Sequence, residues 1–237
     1  MRSFEFKKVE LNITLKCNLA CPDCNRLCNL MELEREMTPD EVALMVARLR
    51  AEGKKLIRTK VVGGEPTVHP KFLEICEVLS DGCKDGTVGA VTINTNGTLI
   101  DRFPNLPPGI RFKWSKPVVK KHIPVLWSPK DLGMESLGPC SMPKRCGFSL
   151  DAHGWLPCSV AIPITRLFGM MDLYMPLNGP LPTRTWGMDR LCQDCVFSTG
   201  IKGLHFVEMP KWWTQPSPVW ARALWDWNRV ERAGAVQ

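Results

Sequence analysis

Apolar and polar residues alternate from Val9 to Leu15, with Val9, Leu11, Ile13 and Leu15 on one side and Glu10, Asn12 and Thr14 on the other. That two-residue period predicts a strand with one face in the core, and the strand runs into a loop carrying Cys17, Cys21 and Cys24. The period then changes. Val42, Met45, Val46 and Leu49 fall at helical spacing behind Thr38-Pro39-Asp40-Glu41. This segment offers a capping threonine, a proline at the first helical position and a glutamate three residues after the cap. A helix is predicted to about Glu52, stopped by Gly53. Leu56 to Val62 is a second strand, and Pro70 to about Leu79 a second helix with Phe72, Leu73, Ile75 and Cys76 as its apolar positions. Val88 to Thr95 is a third strand.

This strand–helix alternation implies parallel strands joined by right-handed crossovers. Polar, chemistry-bearing residues follow all three strands, as in a TIM-like barrel whose site lies at the C-terminal ends. The chain then runs short. Thr98 to Pro139 leaves about 40 residues, against roughly 30 for each ordinary strand–helix–strand unit. Ile110 to Ser115 and Ile123 to Trp127 read as two more strands, with Pro104, Pro107, Pro108, Pro117 and Pro124 where helices would stand. The expected fold is α/β, a trimmed and open TIM-like barrel.

From Cys140 the composition shifts. Phe148-Ser149-Leu150 and Trp155-Leu156-Pro157 flank Asp151-Ala152-His153-Gly154, a β-hairpin ending at Cys158. Near the end, Trp220, Leu224 and Trp227 make a helical stripe in a segment that also holds Trp212, Trp213 and Trp225. Three units are expected: a partial barrel over 1–139, a small cysteine-rich hairpin unit over 140–200, and a Trp-rich segment over 201–237 whose helix docks on barrel surface.

The 237 residues suit one full-sized domain plus an appendage, with an ordinary 44% apolar and 23% charged content. No apolar run reaches membrane-spanning length, and Met1 to Phe6 shows no apolar leader. A cytoplasmic location is expected, in which the eleven cysteines are metal ligands and not disulfides. Net charge is +7, with Lys116, Lys120, Lys121, Lys130, Lys144 and Arg145 clustered mid-chain. Without an aromatic ladder beside it, that stretch reads as a solvated face rather than a nucleic-acid site.

Cys17, Cys21 and Cys24 are spaced C-x3-C-x2-C, which leaves an iron–sulfur cubane one thiolate short and so with an open iron. Structural zinc prefers four ligands in paired knuckles and fits this spacing poorly. The triplet, Gly63-Gly64-Glu65-Pro66 after the second strand and Thr92-Ile93-Asn94-Thr95-Asn96-Gly97 at the end of the third resemble, in order and spacing, the radical S-adenosylmethionine (radical SAM) superfamily. The resemblance implies that Cys17, Cys21 and Cys24 hold a 4Fe–4S cluster. It also implies that Gly63, Gly64 and Glu65 receive the SAM amino group, and that Asn94 and Asn96 lie near the ribose. Glycines permit close backbone approach, and a carboxylate suits an ammonium group. Asp23 stands where the family has an aromatic residue against the adenine; an acid there could accept from the adenine amino group.

Cys140, Cys146, Cys158, Cys192 and Cys195 resemble the Twitch or SPASM extension of the same superfamily, which carries a second, auxiliary 4Fe–4S cluster. Either Cys140 or Cys146 could join Cys158, Cys192 and Cys195. Cys140 has the better distance to Gly154, whereas hairpin geometry places Cys146 almost opposite Cys158. The surplus thiol, Cys146 in the favoured arrangement, is a candidate hydrogen-atom donor. A zinc ribbon is the alternative for this group.

The resemblance implies an enzyme, an oxidoreductase reduced by a ferredoxin- or flavodoxin-type partner, that cleaves SAM to a 5′-deoxyadenosyl radical and takes a hydrogen atom from its substrate. Relatives include dehydrogenases of sugar- or cyclitol-like alcohols, such as 2-deoxy-scyllo-inosamine dehydrogenase, as well as SPASM-type peptide maturases and Cys-dependent epimerases. The chain begins at its first strand without a fused peptide-recognition domain, which favours oxidation of a small sugar- or cyclitol-like substrate over a peptide. A non-catalytic two-cluster electron carrier is the rival, although a carrier has no use for the GGEP segment. His69 is expected to position the loop after the second strand, and His153 to face solvent at the hairpin tip. Cys28 and Cys76 read as buried thiols.

Overall fold

The computed structural model describes residues 7–21, 24, 26–28, 35–114, 128–183, 185–200 and 216–234. Asp23, the expected strand from Ile123 to Trp127, Lys116, Lys120, Lys121, Trp212 and Trp213 lie outside the described residues.

Strands β1 (Lys8–Thr14), β2 (Leu56–Gly63), β3 (Val88–Thr95), β4 (Ile110–Trp114), β5 (Phe148–Asp151) and β6 (Gly154–Leu156) form one sheet in the order β4-β3-β2-β1-β5-β6. All neighbours are parallel except the β5–β6 hairpin. Helices α1 (Pro39–Ala51) and α2 (Phe72–Lys84) cover one face. Val9, Leu11, Ile13, Val61, Val91, Ile93, Phe148 and Leu150 meet Val42, Met45, Leu49, Phe72, Ile75 and Leu79 there in a closed core. The architecture is the open, partial α/β barrel expected from the sequence.

Local signals set most boundaries. The Thr38 hydroxyl accepts from the Glu41 N–H at 3.2 Å, and the Glu41 carboxylate accepts from the Thr38 N–H at 2.8 Å, a complete capping box. Helix α2 outruns its predicted end. Ser80, Asp81 and Gly82 resemble a turn locally, but the Ser80 hydroxyl donates to the Pro108 carbonyl at 2.7 Å. Any Cβ on Gly82 would come within 2.7 Å of the Val88 side chain, so the helix passes β3 only because this position is bare.

The cysteine-rich hairpin is the far end of the same sheet, because β5 pairs in parallel with β1. Among the described residues, four further α-helices follow β4: α3 (Met142–Cys146), α4 (Ala161–Leu167), α5 (Met188–Leu191) and α6 (Pro218–Gly234). A second core gathers Leu15 and Leu27 with Leu156, Cys158, Ile164, Cys192 and Cys195. Trp220 and Leu224 of α6 are buried in this second core, together with Leu15 and Leu27 from the loop after β1. The reason is specific pairing. The Trp220 ring meets Phe168 edge-on at 5.3 Å and its Nε1–H donates to the Asp194 carbonyl at 3.0 Å. His153 is also not a free tip: it is half-buried, with its ring 5.5 Å from Tyr174. Cys76 sits in the first core as expected.

Candidate cluster and cofactor site

The loop after β1 brings Cys17, Cys21 and Cys24 close enough to influence one another. Burial raises the Cys17 thiol, and the neighbouring Cys24, Glu65 and Cys21 push it further in the same direction. Cys24 behaves oppositely. The Cys28 thiol donates to its sulfur, as do the backbone N–H groups of Cys28 and Arg26, and these hold Cys24 down to about 6 against the effect of burial. Cys28 is therefore a hydrogen-bond partner of the triplet, a role its four-residue offset did not reveal. The turn that returns it runs through Leu27, a buried non-glycine residue at φ 57°. Such a left-handed conformation costs about 1 kcal/mol or more and persists where its surroundings demand it.

The GGEP segment is laced to the base of this loop. The Gly64 N–H donates to the Thr14 carbonyl and the Glu65 N–H to the Lys16 carbonyl, both at 2.9 Å. A Cβ on Gly63 would stand 1.8 Å from the Thr14 oxygen and one on Gly64 2.2 Å from the Lys16 oxygen, so the approach admits only glycine. Glu65 is fully buried. Its carboxylate accepts from the Thr67 N–H at 3.1 Å and Thr67 hydroxyl at 2.6 Å, the Thr95 hydroxyl at 2.8 Å and the Asn96 N–H at 2.6 Å. Three donors converge on Oε1 and one on Oε2, which keeps a free lone-pair position. Glu65 thus joins the loops after β2 and β3. Asn96 closes the ring: its Nδ2 donates to Asn18 Oδ1 at 2.9 Å in the cysteine loop. Glu65→Gln turns an acceptor-only group toward four donors. Loss of about 2–3 kcal/mol is expected, readable as a lower urea midpoint.

His69 takes the structural place foreseen for it. Its Nε2 pairs with the Met37 carbonyl at 2.9 Å while Nδ1 accepts from the Lys71 N–H at 3.0 Å, and burial lowers its proton affinity. Asn94 lies one strand position from the β3 end, with its buried Oδ1 lacking a partner among the described residues.

In the second core, Cys140, Cys158, Cys192 and Cys195 line one small pocket with apolar walls that include Ala161 and Ile164. The four sulfurs surround a space; no group of three or more His, Cys, Asp or Glu among the described residues closes on a single ion position. Burial, then mutual repulsion, lifts Cys192 to about 11 and Cys195 to about 12, and pushes Cys158 up as well. These values describe thiols alone. Bound iron reverses the local logic by supplying positive charge to deprotonated sulfur. A cubane is a group of the kind this sulfur-lined, dry pocket fits.

Cys146 lies elsewhere. It is the last residue of α3, outside the β5–β6 ladder, and does not line the pocket of the other four. It hydrogen-bonds with the side chains of Ser159 and Glu10, and burial followed by the Glu10 charge keeps it a thiol. Glu10 is itself buried yet held ionised by Arg26 at 2.6 Å and Lys60 at 2.8 Å, which outweigh desolvation. This network was not read from the sequence. Period-two alternation turned Glu10 away from the core but named no partner for it.

Residues 11–109 match the family model of the Radical SAM superfamily, so this stretch, holding the cysteine triplet, GGEP and the third-strand ending, is a radical SAM domain. The superfamily uses a 4Fe–4S cluster and SAM. Over 99 residues the chain is 32% identical to a probable GTP 3′,8-cyclase of Methanocaldococcus jannaschii, a match covering 42% of this chain and 31% of that protein. It is 34% identical over 91 residues to the Fe-coproporphyrin III synthase of Methanosarcina barkeri, covering 38% of this chain and 21% of the other. The match thus spans less than a third of either relative. Among solved structures, BtrN in an open conformation aligns at a TM-score of 0.48 and 14% identity, over 83% of this chain and 94% of that one. No helix among the described residues is long and apolar enough to cross a membrane.

Proposed function

We propose that this chain is a radical SAM oxidoreductase in which Cys17, Cys21 and Cys24 hold the SAM-binding 4Fe–4S cluster and Cys140, Cys158, Cys192 and Cys195 hold an auxiliary one. The observation that carries the reading is the convergence of three chain segments at one place: the cysteine loop, the glycine approach at Gly63 and Gly64, and the Asn96 bridge to Asn18. Bound there, the first cluster with SAM supplies a 5′-deoxyadenosyl radical for hydrogen-atom abstraction, and the second supplies an electron sink for net oxidation. The chain's own part is to position and to exclude water. Cys28 and two backbone N–H groups favour the Cys24 thiolate. Glu65 clamps the two loops that frame the cofactor, and the apolar second core keeps solvent from the four-cysteine pocket.

The reaction proposed is dehydrogenation of a small molecule after reduction by a ferredoxin- or flavodoxin-type donor. The curated relatives' names speak of cyclisation and porphyrin synthesis, and the shared segment is too short to carry those activities over. Anaerobic reconstitution followed by dithionite and SAM tests the reading: 5′-deoxyadenosine is expected by liquid chromatography–mass spectrometry, and its absence overturns the enzyme assignment in favour of a two-cluster electron carrier. One observation favours a second reading. Cys146 is a retained thiol on the sheet face opposite the helices, the form a hydrogen-atom donor needs. Deuterium entering product from heavy water, and lost in Cys146→Ala, would mark epimerisation instead.

A further inference from the structure

Helices α1 and α2 cover one side of the sheet, and the pleat turns every second side chain to the other. On that second face the register aligns Ser149, Glu10, Lys60, Thr92 and Arg111 in one row across five strands. The next row toward the strand ends holds Asn12, Val62, Asn94 and Lys113, and the row behind holds Lys8, Arg58 and Ala90. The β5–β6 end of this face is closed by the second core, to which Leu156 belongs. Toward β4 lies a cavity of about 440 Å³ lined by Arg58, Lys60, Thr92, Asn94, Arg111, Phe112 and Lys113.

Four cations therefore share one concavity. Two carboxylates lie on the same sheet face, and both are already engaged: Glu10 by Arg26 and Lys60, Asp151 by Arg166 at 3.2 Å. Arg58 donates to the Arg145 carbonyl, which spends one of its donors and none of its charge. Arg111 and Lys113 have no carboxylate within ion-pair distance among the described residues. Arg58 and Lys60 on β2 stand across β3 from Arg111 and Lys113 on β4, and with Lys60 already paired to Glu10 the other three positive charges make the concavity attractive to an anion. Asn94 adds the second observation, a buried Oδ1 without a partner at the edge of the same cavity. An amide oxygen there accepts from a hydroxyl, while the cations take the charge.

We propose that this face binds a small polyanionic substrate, one bearing phosphate groups and at least one hydroxyl, with Arg58, Lys60, Arg111 and Lys113 as the anion site and Asn94 as the hydroxyl acceptor. Arginine matches phosphate through paired N–H donors, and lysine meets it as a point charge. The cysteine loop follows β1 and the Glu65 clamp follows β2 and β3, so the anion site lies lower on the strands whose C-terminal ends frame the cofactor. The charged part of the substrate anchors on the mid-sheet cations while its hydroxyl-bearing carbon is presented toward those ends. This changes the expected substrate from a neutral sugar or cyclitol to a phosphorylated one.

Calling the ligand a substrate rests on the radical-enzyme reading; the anion site itself does not. Isothermal titration of the reconstituted protein with inorganic pyrophosphate at low ionic strength is expected to show binding that weakens as salt is raised. Arg111→Gln with Lys113→Gln weakens it at least tenfold, while Lys54→Gln, at an exposed position away from this face, leaves it unchanged. Citrate distinguishes carboxylate from phosphate as the source of charge, and is expected to compete poorly. Absence of pyrophosphate binding, equal binding by the double variant, equal weakening by Lys54→Gln, or tighter binding of citrate overturns the proposal. Formation of 5′-deoxyadenosine from SAM alone should survive in the double variant, so failure of the anion site and failure of the radical chemistry are read separately.

Discussion

Cys24→Ala is expected to abolish 5′-deoxyadenosine formation and to remove about four of roughly eight iron atoms per reconstituted chain. The surroundings of Cys24 favour its thiolate, whereas burial raises Cys17. Cys28 donates to the Cys24 sulfur, two backbone N–H groups point at it, and Arg26 adds a positive charge nearby. Cys17 and Cys21 substitutions should give the same iron loss, because a cubane loses its footing when two protein thiolates remain. The informative companion is Cys28→Ala. It removes a hydrogen bond to a ligand sulfur and leaves the ligand, so iron should stay while the cluster's reduction potential falls, since hydrogen bonds to sulfur help set that potential. Iron assay together with redox titration separates the two roles. Full iron in Cys24→Ala would overturn the ligand assignment.

The second large effect is expected at Cys140. Cys140→Ala should lose about four irons while keeping the cluster that cleaves SAM, and Cys146→Ala should keep about eight. Cys140 lines the pocket with Cys158, Cys192 and Cys195. Cys146 instead faces Glu10 and Ser159. Iron counting on each variant, with 5′-deoxyadenosine formation as the control for an intact first site, reads the outcome directly. Iron loss in Cys146→Ala with none in Cys140→Ala would reverse the assignment. One zinc and about four irons in the wild type would replace the auxiliary cluster with a zinc site.

Much of the fold was legible because its signals are local. The Thr38–Glu41 capping box needs only four neighbouring residues, and it starts α1 where the sequence places it. Val88 to Thr95 is bounded as predicted because a β-branched run between turn residues has few other uses. Helix α2 shows the limit. Its last turns contain Ser80 and Gly82, poor helix residues that are retained because Pro108 and Val88 lie against them. Those neighbours are remote in sequence, so local propensity stopped the helix early.

The candidate site divides the same way. Cysteine spacing, paired glycines and the Asn94-Thr95-Asn96 ending are contiguous patterns, each readable without knowing what faces it. Glu65 is contiguous with them too, but its role depends on donors from Thr95 and Asn96, thirty residues away on another strand. Those remote donors are what make Glu65 a clamp between the two loops.

By itself, the sequence determined the open α/β sheet, the motifs by which it resembles radical SAM proteins and which cysteines are available as ligands, since periodicity and spacing are properties of the chain. Only the tertiary structure decided which of Cys140 and Cys146 meets Cys158, Cys192 and Cys195, and where the C-terminal helix docks. It alone gathered Arg58, Lys60, Arg111 and Lys113 into one cavity. Each of these turns on strand register and side-chain direction. A one-residue shift in register carries a side chain to the opposite face, and neither spacing nor composition records that shift.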